Sequence, residues 1–161
     1  MSSWLHIGEK QTTVRLNDDV GGTDEVLLAI GATGLCRRYF HHEPPTAGEL
    51  EAAIEAVEDV LMPAIPRLRG PGPLVTDDAE SLALVEAAAL PPGAATELDL
   101  AAVERLFNRL ADVASGRPVA SEGLPVRGSF AANLLILREL MHHAGRTSVT
   151  VVSPIDEGEH S

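Results

Sequence analysis

Two histidine clusters, His41-His42-Glu43 and His142-His143, supply side chains of the kind that hold a metal ion. Adjacent residues on a helix point about 100° apart, so one such pair does not chelate by itself. A site would need both pairs to converge, or His6 to join them. The simpler reading puts each pair at a solvated helix end, where histidine complements the dipole, and no metal site is expected. Cys36 is the only cysteine, so no intrachain disulfide forms, and it reads as a small buried hydrophobe. Serine-nucleophile chemistry lacks a G-x-S-x-G elbow. Neither a Walker A loop nor G-x-G-x-x-G is present. Asp19-Val20-Gly21-Gly22-Thr23 has the composition of a turn that cradles phosphate on backbone N–H groups. Polar Asn17-Asp18 before it and acidic Asp24-Glu25 after it would repel phosphate, so it reads as a plain hairpin loop.

The elements that must position these residues follow from the hydropathy pattern. Trp4–Ile7, Thr12–Leu16 and Glu25–Ile30 are short β-branched or apolar runs separated by turn residues, and read as antiparallel strands. Thr46-x-x-Glu49 is a capping box that starts a helix, with Leu50, Ile54, Val57 and Leu61 on its inner face and Pro63 and Pro66 ending or bending it. Leu74–Thr76 is a brief buried strand, after which Asp77 or Asp78 caps a helix through Ser81–Val85. Pro91-Pro92-Gly93 is a break. Asp99 caps a helix with Val103, Leu106, Phe107, Leu110 and Val113 in one stripe. Ser129–Met141 is apolar nearly all round and belongs deep in the core. Thr147–Val152 is the last strand. The expected fold is α/β: one domain over residues 1–153, with a mixed sheet whose first three strands are antiparallel, and a short acidic tail over 154–161.

Composition narrows the partners. The chain has 161 residues, 45% hydrophobic and 22% charged, which suits one globular domain. Its net charge of -12 repels phosphate backbones, so no nucleic acid partner is expected. No apolar run approaches the 18 or so residues a membrane span needs. The N-terminus carries no signal-peptide pattern, and the expected location is cytoplasmic.

Element order and several stretches resemble the second domain of the exopolyphosphatase and guanosine-pentaphosphate phosphatase (Ppx/GppA) family. Leu28 to Phe40 is similar to the family's S-L-P-L-G-A-V-R-L-T-E-R-F, and His42-Glu43-Pro44-Pro45-Thr46 to its D-P-P-T helix start. Leu124-Pro125-Val126-Arg127-Gly128 onward through Met141, with the strand to Val152, resembles its L-P-x-x-R-A-D-x-I-x-x-G-x-x-I-L segment. The resemblance runs from about Trp4 to Ser153. It implies a ribonuclease-H-like (actin-like ATPase) fold, in a family whose active site lies in a cleft between two such domains.

The chemistry departs from that pattern. The family's D-I-G-G-G-S-T-E phosphate loop falls on His6-Ile7-Gly8-Glu9-Lys10-Gln11-Thr12-Thr13, where only Ile7, Gly8 and Thr12 are kept. Glu9 and Lys10 put side chains where glycines would admit phosphate. His6 stands where the resemblance implies a metal-holding Asp, and Thr13 where it implies Glu. The second loop, Gly-Gly-Thr in the family, falls on Thr76-Asp77-Asp78, two carboxylates where an anion should sit. The closing Gly-Leu-Arg-Glu-Gly is replaced by Pro154-Ile155-Asp156-Glu157-Gly158. The expectation is a non-catalytic relative with no catalytic residue and no cofactor, Mg²⁺ entering only if it is active. It would act by binding or assembly, as a homodimer or with a partner protein over the cleft face. The alternatives are a phosphatase half that needs a separate first-domain chain, and a small-ligand sensor.

Overall fold

A computed structural model describes residues 3–17, 21–70, 72–91, 93–118 and 122–153. Three strands open the chain: β1 (Ser3–Ile7), β2 (Thr12–Asn17) and β3 (Thr23–Leu28). Both pairings are antiparallel, with Leu5 opposite Val14 and Val14 opposite Val26. Helices α1 (Ala32–Tyr39), α2 (Ala47–Leu61) and the short α3 (Ile65–Leu68) follow, the last two joined by a 3-10 turn at Met62–Ala64. Then come β4 (Leu74–Thr76), α4 (Ala79–Ala87), β5 (Ala95–Asp99), α5 (Leu100–Ala114), α6 (Gly128–Ala144) and β6 (Ser148–Val152). The strands form one mixed sheet in the order β3-β2-β1-β4-β6-β5, with β1, β4 and β6 parallel. The α/β fold expected from the sequence is therefore the fold observed.

Three sequence expectations are corrected. The sheet has a sixth strand, β5, antiparallel to β6 at the edge, where the sequence shows only the proline break before it. Its residues Ala95-Thr96-Glu97-Leu98-Asp99 bury only Leu98, too weak an alternation to register. The third strand is Thr23–Leu28 in place of Glu25–Ile30, because the hairpin ladder continues down to Asn17 opposite Thr23. Asp78 holds the position before α4 but its side chain makes no cap bond, being engaged elsewhere. Elsewhere the local rules hold. Thr46 and Glu49 complete the capping box of α2, and the Asp99 carboxylate accepts from Ala102 N–H at 2.8 Å.

Buried strand residues lie on one sheet face: Leu5, Ile7, Val14, Val26, Leu28, Leu74, Leu98, Val149 and Val151. Over that face α6 is the central helix, buried at every residue from Phe130 to Leu137, and all the other helices pack on it. A helix this apolar along Phe130–Leu137 needs that sheltered position, with Arg138, His142 and His143 reaching out near its C-terminal end. On the opposite sheet face Trp4, Arg15, Glu25 and Leu27 are exposed. The acidic tail over 154–161, Pro154 to Gly158 included, lies outside the described residues, as do Asp19 and Val20.

Candidate functional site

The C-terminal ends of β1 and β4 open into a cleft of about 300 Å³, lined by His6, Gly8 and Glu9 from the first hairpin, by Asp78–Glu80 and by Ser129 and Asn133. Such crevices at strand ends are where α/β sheets bind ligands. Three helix N-termini converge there, those of α1 at Ala32 and Thr33, α4 at Ala79 and α6 at Ser129. Each end carries roughly half a positive charge, so together they form a pre-built anion attractor.

The chain fills that attractor with its own groups. Asp78 is buried, and its carboxylate accepts from Ile7 N–H at 2.8 Å while lying 2.6 Å from His6 Nδ1. The backbone N–H of Asp78 donates to Thr76 Oγ at 3.2 Å, which fixes the turn between β4 and α4. Glu80 accepts from the Ser129 hydroxyl at 2.6 Å and from Arg127 Nη2 at 2.8 Å. Burial alone would raise the Glu80 carboxyl, but the bonds from Arg127 and Ser129 outweigh it and hold it below the usual range. Glu43 accepts from Gly128 N–H at 3.1 Å, at the start of α6. At α1 the caps are main-chain: Ala32 N–H donates to Gly8 O and Gly34 N–H to Glu9 O, both at 2.9 Å.

The hairpin from His6 to Thr13 is thus closed by a different means than its side chains suggest. Gly8 N–H donates to Gln11 O at 2.9 Å, making a tight turn. Glu9 lines the cleft, whereas Lys10 lies on another groove beside Gly31 and Asp59, and Gln11 is exposed. It is the carbonyls of Gly8 and Glu9, and not the Lys10 side chain, that occupy the mouth of α1. A Cβ on Gly31 would lie 2.5 Å from the Glu9 carbonyl, so this approach requires glycine. Thr12 is buried with its hydroxyl donating to Ile30 O at 2.7 Å, and Thr13 pairs with His6 across the ladder. Of the two acids expected after Thr76, only Asp78 enters the cleft; Asp77 is exposed outside it.

In its architecture the chain has solved relatives. It superposes over 99% of its length on the crystal structure of the Aquifex aeolicus Ppx/GppA family member, with a TM-score of 0.71 and 15% sequence identity. The fold is that of the Ppx/GppA proteins. An exopolyphosphatase from Cytophaga hutchinsonii ATCC 33406 matches 95% of this chain at 15% identity, and an exopolyphosphatase-like protein matches 94% at 12%, both at a TM-score of 0.71. The chain covers 57%, 53% and 55% of those three chains respectively, little more than half of each. No protein-family model and no curated protein matches it.

Within this Ppx/GppA fold the histidine pairs do not converge. His41 and His42 are exposed after α1, and the carboxylate of Glu49 accepts from His41 N–H and pairs with His42 Nδ1, both at 2.9 Å. Burial would raise Glu49, but the Thr46, His42 and His41 bonds together prevail and hold it down to about 2. His143, expected at a solvated end, is instead only 22% exposed, with Nε2 at 3.1 Å from Glu58 and 3.2 Å from Glu139. Burial and the neighbouring Glu58 push the Glu139 carboxyl up. Cys36 is half-buried, and burial raises its thiol. Sequence reasoning missed Glu80, Ser129 and Asn133 in the cleft, and Arg127, which holds Glu80 from outside it. Their signal was weak: one acid in a helix first turn, and an Arg-Gly-Ser run opening an apolar helix.

Among the described residues no helix is long and apolar enough to cross a membrane.

Proposed function

We propose that the chain is a non-catalytic Ppx/GppA-like domain that acts through binding or assembly. One observation carries this reading: the Asp78 carboxylate, bonded to Ile7 N–H and paired with His6, puts negative charge into the crevice on which three helix N-termini converge, and would oppose a phosphate entering there. Phosphoryl transfer is catalysed by such preorganised donors and cations, and a fixed carboxylate opposes both. Mg²⁺ fits the cleft poorly. It demands a near-octahedral oxygen shell, whereas the oxygens of Asp78 and Glu80 are already held by His6, Ile7, Arg127 and Ser129.

The purified chain, given polyphosphate or guanosine pentaphosphate with Mg²⁺, is expected to release no phosphate above the buffer blank. Turnover that disappears on adding a chelator would overturn the reading. It would favour a phosphatase half, completed by a separate first-domain chain. The volume of the cleft supports a second reading, a small-ligand sensor of altered specificity.

For assembly, a second copy is the partner this reading favours. The large exposed hydrophobics include Trp4 at 40% and Leu27 at 59%, both on the uncovered sheet face and neither in the cleft. Closed two-fold dimers are the commonest assemblies. Light scattering at micromolar concentration is expected to give twice the 17.0 kDa chain mass. A particle of the single mass would show that Arg15 and Glu25 keep this face polar enough to stay in water.

A further inference from the structure

The end of the sheet opposite the cleft holds another cavity, of about 350 Å³. Ser3 at the start of β1, Thr23 at the start of β3, and Arg67, Arg69 and Gly70 around the end of α3 border it. Arg67, Arg69 and Arg146 all line it, a quarter of the twelve basic residues of a chain with net charge -12. Asp24 is the one carboxylate among the lining residues described, and both its oxygens accept from Arg67 Nη2 at 3.0 Å. That pair is neutral.

Among the described residues nothing neutralises Arg146. It is 3% exposed, and among the described residues its guanidinium donates to main-chain carbonyls. Nε and Nη2 reach Leu68 O at 3.1 and 2.9 Å, and Nη1 reaches Gly72 O at 3.3 Å. Among the described residues no carboxylate pairs with Arg146 or with Arg69. Burial pulls against the charged guanidinium, yet arginine does not give up its proton in proteins, so a buried cation stands beside an open cavity with no counter-ion among the described residues. Its fork still has N–H groups to offer.

We propose that this cavity binds a small phosphorylated molecule, whose phosphoryl group supplies the counter-ion that Arg146 lacks, with Arg69 as its second guanidinium. A phosphoryl group presents three acceptor oxygens and close to two negative charges at neutral pH, and so bridges two guanidinium forks. A single carboxylate is matched by one. The site shares no residue with the His6–Asp78 cleft, so it stands or falls apart from the non-catalytic reading.

Inorganic phosphate, titrated into the full chain at constant ionic strength set with KCl, tests this. Thermal unfolding should shift upward and saturate, and the Arg146 Nε–H resonance should move with the same midpoint. Arg69→Ala should weaken that midpoint about tenfold, as expected for one lost charge-assisted hydrogen bond. Its urea midpoint without phosphate should be unchanged, since Arg69 is exposed and pairs with no carboxylate among the described residues. A response that never saturates, or one that Arg69→Ala leaves untouched, overturns the site. A saturable response to citrate with none to phosphate overturns the phosphoryl assignment.

Discussion

Phe130→Ala is expected to cost about 3–5 kcal/mol of folding stability, read as a fall in the urea midpoint at unchanged slope. Phe130 is 0% exposed and lies in the first turn of α6, the helix against which all the others pack. Close packing leaves no slack there, so truncation exchanges dispersion contacts for a cavity and also loses the transfer term. Domains of this size are stable by roughly 5–15 kcal/mol, so the loss would consume much of the total. Ser129 and Asn133 line the cleft from the same stretch of helix, and the cleft wall should loosen with it. A loss below about 1 kcal/mol would mean that the site collapses without strain and that α6 is not the packing centre.

Gly31→Ala is expected to be the most damaging change at a residue with no side chain to lose. The added methyl would meet the Glu9 carbonyl carbon and oxygen and the Lys10 nitrogen, all at 2.5 Å, and a backbone cannot swing aside as a side chain does. Gly31 has φ of -141°, ordinary extended backbone, so the demand is for space and not for an unusual torsion. Overpacking costs about 1–3 kcal/mol. Pushing the hairpin off α1 would add about 1 kcal/mol for each of the Ala32 to Gly8 and Gly34 to Glu9 hydrogen bonds that breaks. Gly48→Ala is the control, because a Cβ there meets nothing within 4 Å and it lies inside α2. That exchange should stabilise by about 0.5–1 kcal/mol. Equal urea midpoints for the two variants would refute the steric account.

These expectations separate what was legible in the sequence from what was not. Five strands, the capping box at Thr46 and the buried character of Ser129–Met141 were readable because each rests on local spacing. β5 was not, since four of its five residues stay at least partly in solvent and its pairing partner, β6, lies about fifty residues further along the chain. In the cleft, His6 and Asp78 were singled out through the family resemblance, and the structure brings both into the same crevice. That the two would meet could not be read, because they are 72 positions apart and join only once β1 and β4 lie side by side. The same holds for Arg127 and Ser129 on Glu80, whose separations are 47 and 49. Asp78 misled for a further reason. Its position predicts an N-cap, but a carboxylate that can reach the Ile7 N–H and His6 leaves the helix uncapped in favour of those partners.

The position of β6 inside the sheet has a consequence for how the chain comes off the ribosome. It lies between β4 and β5, and β4 in turn connects it to β1. Until residues 148–152 emerge, β4 and β5 each lack a neighbour, and the hairpins of the N-terminal half have only part of a sheet to join. Helix α6, buried at every residue from Phe130 to Leu137, has by then been synthesised without its final shelter. Pairings between distant segments form slowly, because loop closure must be paid before the contacts form. A nascent chain of this topology therefore presents unpaired strand edges until β6 arrives, with an oily helix added just before it. Its dependence on holding chaperones should be set by this late-arriving strand and not by the stability of the finished domain.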